Sequence, residues 1–149
     1  MKSLPFRELD PIPPQIADDP KDANVDALKD HSPVLGVYAR GKDIDTGEDM
    51  VAEIVDGPWI RTNLWIDFTA GGNPSRYPWI EKNHYWLDNG TIAEADYDLI
   101  HETVECLEMR DKKLSYGSAH SRFANSEEYQ ARKDPSQIVS MLRSLGWMV

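Results

Sequence analysis

The chain has 149 residues, 40% of them hydrophobic and 28% charged, with 16 Lys and Arg against 26 Asp and Glu for a net charge of −10. That is the size and composition of one globular domain, able to bury a core without staples. The acidity excludes non-specific tracking of a phosphate backbone, and the single cysteine, Cys106, excludes an intramolecular disulfide and a cysteine-rich metal site.

Pro5, Pro11, Pro13, Pro14 and Pro20 mark residues 1–22 as an extended, proline-rich arm, because proline fixes φ and removes an amide donor. Phe6, Ile12 and Ile16 are its candidate docking anchors. The segment MKSLPFRELD holds no apolar run of signal-peptide length, and no stretch approaches the ~20 apolar residues of a membrane span. These features predict a cytoplasmic or virion-associated protein. Residues 23–149 read as one α+β domain: a small twisted, mostly antiparallel sheet followed by two to three C-terminal helices.

Ala23 to Lys29 suits a short helix. Val34 to Ala39 and Met50 to Val55 are apolar, β-prone runs joined by turn-rich residues from Gly41 to Asp49. The stretch Asp43-Ile44-Asp45-Thr46-Gly47-Glu48-Asp49 resembles the start of a calcium loop. It lacks a glycine at the sixth position and a glutamate at the twelfth, which favours a solvated hairpin turn. Trp59 to Phe68 alternates as a strand does, with Ile60, Thr62, Leu64, Ile66 and Phe68 on the core face. Gly71, Gly72, Asn73 and Pro74 read as a turn, Tyr77 to Ile80 as a short extended piece leading to Tyr85, Trp86 and Leu87.

Thr91 is the expected N-cap of a helix starting near Ile92, with Tyr97, Ile100, Val104 and Leu107 as its apolar stripe. A second helix starts near Ser115 or Ser118 and runs to about Arg132, striped by Tyr116, Ala119, His120, Phe123 and Glu127. A third starts at Asp134-Pro135, an N-cap with proline at the first helical position, and ends before Gly146. Trp147, Met148 and Val149 form an apolar tip that either enters the core or binds a partner.

The chemistry concentrates in His101-Glu102-Thr103-Val104-Glu105 and in His120 and Glu127 on the next helix. At ~100° per residue, His101 and Glu105 lie ~40° apart on one helix face. The layout is that of an H-E-x-x-H helix with glutamate in place of the second histidine. Two polar residues on the apolar stripe of the next helix need partners, and the facing helix supplies them. As a metal site, His101, Glu105 and His120 would be ligands for an ion such as zinc. Glu102 would act as general base, and Glu127 as a fourth ligand or an orienter of a histidine. The alternative is a hydrogen-bonded His/Glu network that locks two helices. Cys106 sits among acidic residues, poor surroundings for a thiolate nucleophile.

The stretch Tyr97-Asp98-Leu99-Ile100-His101-Glu102-Thr103-Val104-Glu105 with Met109, then Tyr116-Gly117-Ser118-Ala119-His120, Ala124 and Glu127 or Glu128, resembles a poorly characterised group of small phage- and prophage-encoded proteins. The resemblance spans about residues 62–130 and includes Tyr85-Trp86-Leu87-Asp88 ahead of the helices. It departs from the group's pattern at Glu108-Met109 and around Lys113-Leu114. It implies a minimal zincin-like arrangement acting on a peptide or amide. Two other readings stand beside it. One is a non-catalytic virion or assembly component that self-assembles or binds protein partners through its arm and through Trp147, Met148 and Val149. The other is an acidic inhibitor of a basic host protein.

Overall fold

Two apolar runs separated by turn residues form the hairpin around which the chain is built. The computed structural model describes residues 22–149, so the proline-rich arm with Phe6, Ile12 and Ile16 lies outside the described residues but for Asp22. A short helix, α1 (Ala27–Asp30), precedes strand β1 (Val34–Lys42), which pairs antiparallel with β2 (Asp49–Val55). The turn between them is a hairpin turn: Asp43 accepts from the backbone N–H of Asp45 and Thr46, and Gly47 takes a positive φ of 75°. Arg110, from a distant helix, donates to both oxygens of the Asp43 carboxylate.

The alternating stretch after β2 is not a strand. Gly57–Asn63 forms α2, because Asp56 caps it by accepting from Trp59 N–H at 3.1 Å and Pro58 occupies the first turn. The cap outweighs the alternation, and Ile60 and Leu64, one turn apart, become the buried pair while Ile66 is exposed. Gly71–Gly72 is an edge strand, β3, and not a turn. A Cβ on Gly71 would meet the Trp86 carbonyl and the Glu102 side chain, so glycine here lets the sheet edge close on the helix that carries the site. Tyr77 to Ile80 is a run of turns whose Tyr77 and Ile80 are buried. Strand β4 (His84–Asp88) lies parallel to β2, and the sheet order is β3-β4-β2-β1-β5. Three of its four strand pairings are antiparallel, as the sequence predicts.

A 3-10 turn (Asn89–Glu94), capped by Asp88 through Gly90 N–H, delays the long helix α3 to Ala95–Asp111, three residues beyond the expected start. Thr91 is not its cap; the Thr91 hydroxyl donates to the Asp88 carbonyl. A second helical rod follows as α4 (Tyr116–Ser118), a π-helical segment (Ala119–Ala124) and α5 (Asn125–Lys133). Helix α6 (Ile138–Ser144) follows the Asp134-Pro135 signal, and the chain ends in β5 (Trp147–Met148) against β1.

Successive residues of β4 point to opposite faces and divide the core in two. Tyr85 and Leu87 join Leu99, Ile100, Val104 and Trp147 under the helices, while Trp86 joins Val55, Ile60, Phe68 and Tyr77 on the α2 side. Trp147 is spent on the first core, edge-on to Tyr85, and its Nε1–H donates to Thr103 at 3.0 Å. Of the C-terminal tip, only Met148 and Val149 are exposed. Among the described residues, no helix is long and apolar enough to cross a membrane.

Candidate metal centre

Helix α3 is buried on nearly every side from Leu99 to Cys106, so its polar residues there must find partners inside the protein. His101 and Glu105 are one turn apart and face the π-helical segment, which brings in His120. Three ligand-capable atoms converge. Nε2 of His101 lies 3.0 Å from Nδ1 of His120 and 3.3 Å from Oε2 of Glu105, and Nδ1 of His120 lies 2.9 Å from that oxygen. Ligands ~2.0–2.1 Å from a tetrahedral ion stand ~3.3 Å from one another, so these separations are close to those of a coordination triangle. His101, Glu105 and His120 form a group that could hold a metal ion. Two imidazole lone pairs cannot face each other at 3.0 Å, so a shared proton or a cation must stand between them.

The remaining atoms of these residues are fixed too. Nδ1 of His101 meets Oε1 of Glu128 at 2.9 Å, and Arg132 donates to the other oxygen of Glu128 at 2.8 Å. A carboxylate on the far nitrogen of a histidine sets its tautomer and ring orientation. Glu127, the sequence-predicted partner, is exposed and does not join the group. The π segment is the physical reason. A π turn takes one residue more than an α turn, so the inward face slips by one position. The inward residues are therefore Ala119, Ala124, Glu128 and Ala131, where regular α spacing predicts Phe123 and Glu127.

Glu102 lies one residue from His101 on the side of the sheet edge. Asn73, fully buried in the loop after β3, was not visible as a site residue in the sequence. Its Nδ2 donates to Oε1 of Glu102 at 2.9 Å and to Oε1 of Glu105 at 3.0 Å. Its Oδ1 accepts from Ser75 and Arg76 N–H, at 3.0 and 3.1 Å. One amide thus spans both carboxylates and leaves Oε2 of Glu105 turned toward the histidines. A Gly-Gly-Asn run had pointed to a turn, and only its contact with α3 reveals the role.

The electrostatics follow from this packing. Burial raises the Glu102 carboxyl, and the neighbouring Glu105 charge raises it further. Burial acts on Glu105 in the same sense, but hydrogen bonds from His101 and His120 outweigh it and hold Glu105 low. Burial disfavours a charged His101, yet Glu105 and Glu128 on its two nitrogens raise it overall. Asp98, one turn before His101, is pushed up to about 7 by burial and by the Glu128 charge.

These groups line a cavity of about 210 Å³ open to solvent on one side. Its other walls are Thr69 to Gly71 from the sheet edge, Arg76, Tyr77, Tyr116 and Asn125. The Tyr116 hydroxyl stands 3.5 Å from Nδ1 of His120, and the Arg76 guanidinium lies 3.9 Å above the Tyr116 ring. Cys106 is buried, with its sulfur 3.1 Å from the Ser75 hydroxyl, and lines no part of this cavity. Comparison with known protein families, with curated proteins and with solved structures gives no match to this chain.

Proposed function

We propose that the protein is a metal-dependent hydrolase of peptide or amide bonds, with a zinc ion held by His101, Glu105 and His120. The observation that carries this reading is the convergence of the three ligand atoms within 3.3 Å at the wall of an open cavity. Two imidazoles and one carboxylate are the donor set of a zinc site that keeps a position for water or substrate. A bound zinc ion would polarise a carbonyl and acidify a coordinated water. Glu128 orients His101, and Asn73 orients Glu105. Glu102, which shares the Asn73 amide with Glu105 and lines the same cavity, would take and return a proton. On the resemblance of the motif residues alone, the setting is a phage-encoded protein.

The test is turnover of the zinc-loaded full chain on a mixture of unmodified peptides, read by mass spectrometry, beside Glu102→Gln. The reading expects cleavage by the parent and a loss of about 10²-fold or more in the variant with zinc retained. Zinc binding without cleavage would remove the hydrolase and leave the metal site.

A second reading is favoured by one observation: both ring nitrogens of His101, Nδ1 of His120 and one oxygen each of Glu105 and Glu128 already lie within hydrogen-bond distance of a partner between α3 and the second helical rod. A helix-locking network in an assembly protein needs no more than that. It expects no zinc uptake and a large loss of stability in His101→Ala.

A further inference from the structure

The cavity at the His/Glu group does not end at Tyr116. A second depression, of about 290 Å³, adjoins it, and Thr69, Arg76, Tyr77 and Tyr116 belong to the walls of both. Beyond this shared wall the lining changes character. The first depression is closed by carboxylates and imidazoles; the second is walled by Trp65, Ile66 and Phe68, with Asp67 at its exposed rim.

The apolar end is built to hold its shape. Trp65 packs on Trp79 at 6.1 Å, Trp79 stacks on Tyr77 at 4.8 Å, and Tyr77 meets Phe68 at 6.4 Å. Phe68 is 1% exposed and Trp65 8%, so the floor is part of the α2-side core. Ile66, by contrast, is 76% exposed and stands free at the mouth. An exposed branched aliphatic next to a rigid aromatic floor, continuous with a polar site, is the arrangement of a ligand pocket: apolar surface to fill and a few polar groups to orient.

We infer that this second depression seats an apolar group of the substrate, about one aromatic or branched aliphatic side chain in size, attached next to the carbonyl that faces His101, Glu105 and His120. The substrate class is therefore an acyl compound, an amide or peptide, with an apolar residue beside the bond acted on. Arg76 and Tyr116 stand at the boundary between the two parts, where the ligand's backbone would pass. This inference rests on the metal-site reading above.

The experiment uses the full chain loaded with zinc and two probes, acetohydroxamic acid and phenylacetohydroxamic acid. They share a metal-directed group and differ in an aromatic tail. Affinities are measured by calorimetry for the parent and for Ile66→Asp, an exposed position whose change leaves the core intact. The inference expects the aromatic tail to tighten binding at least tenfold in the parent. In Ile66→Asp that advantage falls at least threefold, with zinc and acetohydroxamic acid affinities unchanged. A tail that adds less than twofold, or whose gain is untouched by Ile66→Asp, overturns the inference and leaves the metal site standing. A site that takes zinc but neither hydroxamate also overturns it. A chain that takes no zinc overturns the metal-site reading, and the inference falls with it.

Discussion

At the scale of single residues, Asn73 and Glu128 set the geometry of the site without being ligands. Asn73 is buried and uses both amide hydrogens on carboxylates and its oxygen on two backbone amides. Replacing it with leucine strips those partners at once. Asn73→Leu is expected to destabilise the fold by about 3 kcal/mol, read from the denaturant midpoint, since buried groups lose their bonds with no water to replace them. Glu128 and Glu127 separate the observed geometry from the predicted one. Glu128→Gln should weaken zinc binding by about 10- to 100-fold, as removal of an orienting carboxylate does. Glu127→Gln, on the exposed side, should leave it unchanged. Equal effects of the two in a zinc titration would mean that the inward face is not where the structure puts it.

At the scale of elements, the π segment decides which residues face the site. His101, Glu102, Glu105 and His120 could be read from the sequence because α3 keeps regular spacing and its acid and imidazole groups interrupt an apolar stripe. The motif left Glu127 and Glu128 as alternatives and regular helical spacing chose Glu127, because nothing in Ala119–Ala124 announces an extra residue per turn; the one trace is a stripe better fitted by Ala124 and Ala131 than by Phe123 and Glu127. Deleting Arg122 should turn the π segment into regular helix while keeping His120 and Glu128 on one face, so zinc affinity should stay within about tenfold of the parent. Inserting alanine after Arg122 rotates Glu128 by ~100° and should cost as much affinity as Glu128→Gln. The hairpin, β4 and the last helix were legible from their apolar runs and from the Asp134-Pro135 cap. Helix α2 was equally announced, by Asp56 and Pro58, but the alternation from Trp59 to Phe68 masked it. Strand β3 was hidden because Gly71 is needed for close approach to Trp86 and α3, and Gly72 for close approach to Tyr77 and Ile80, tertiary reasons that resemble a turn in one dimension.

At the scale of the whole molecule, the far end of α3 is tied to the hairpin by Arg110, which bonds Asp43, Asp45 and Asp111. Asp43 is 4% exposed, and the guanidinium beside it holds its carboxyl down at about 2. In the unfolded chain the same carboxyl titrates near ~3.9. The unfolded state therefore takes up the proton first, and this contribution is present above about pH 4 and lost as pH falls through about 2. Asp43→Asn should lower stability at pH 7 by about 2 kcal/mol and flatten the loss of stability between pH 4 and 2, seen in urea unfolding at each pH. An unchanged acid profile would mean that the clamp does not couple the hairpin to α3. The same tether holds the sheet and the helix that carries His101 in one frame, so the site's geometry depends on the fold as a unit.

The central claim is that His101, Glu105 and His120 hold one metal ion. The most direct measurement is elemental mass spectrometry of the full chain purified without chelator and after zinc is added back, with His101→Ala and His120→Ala beside it and circular dichroism to confirm that each is folded. The account predicts about one zinc per chain in the parent and almost none in either folded variant. A parent that holds no zinc, or variants that hold as much as the parent, would contradict it and leave the His/Glu group as a lock between helices.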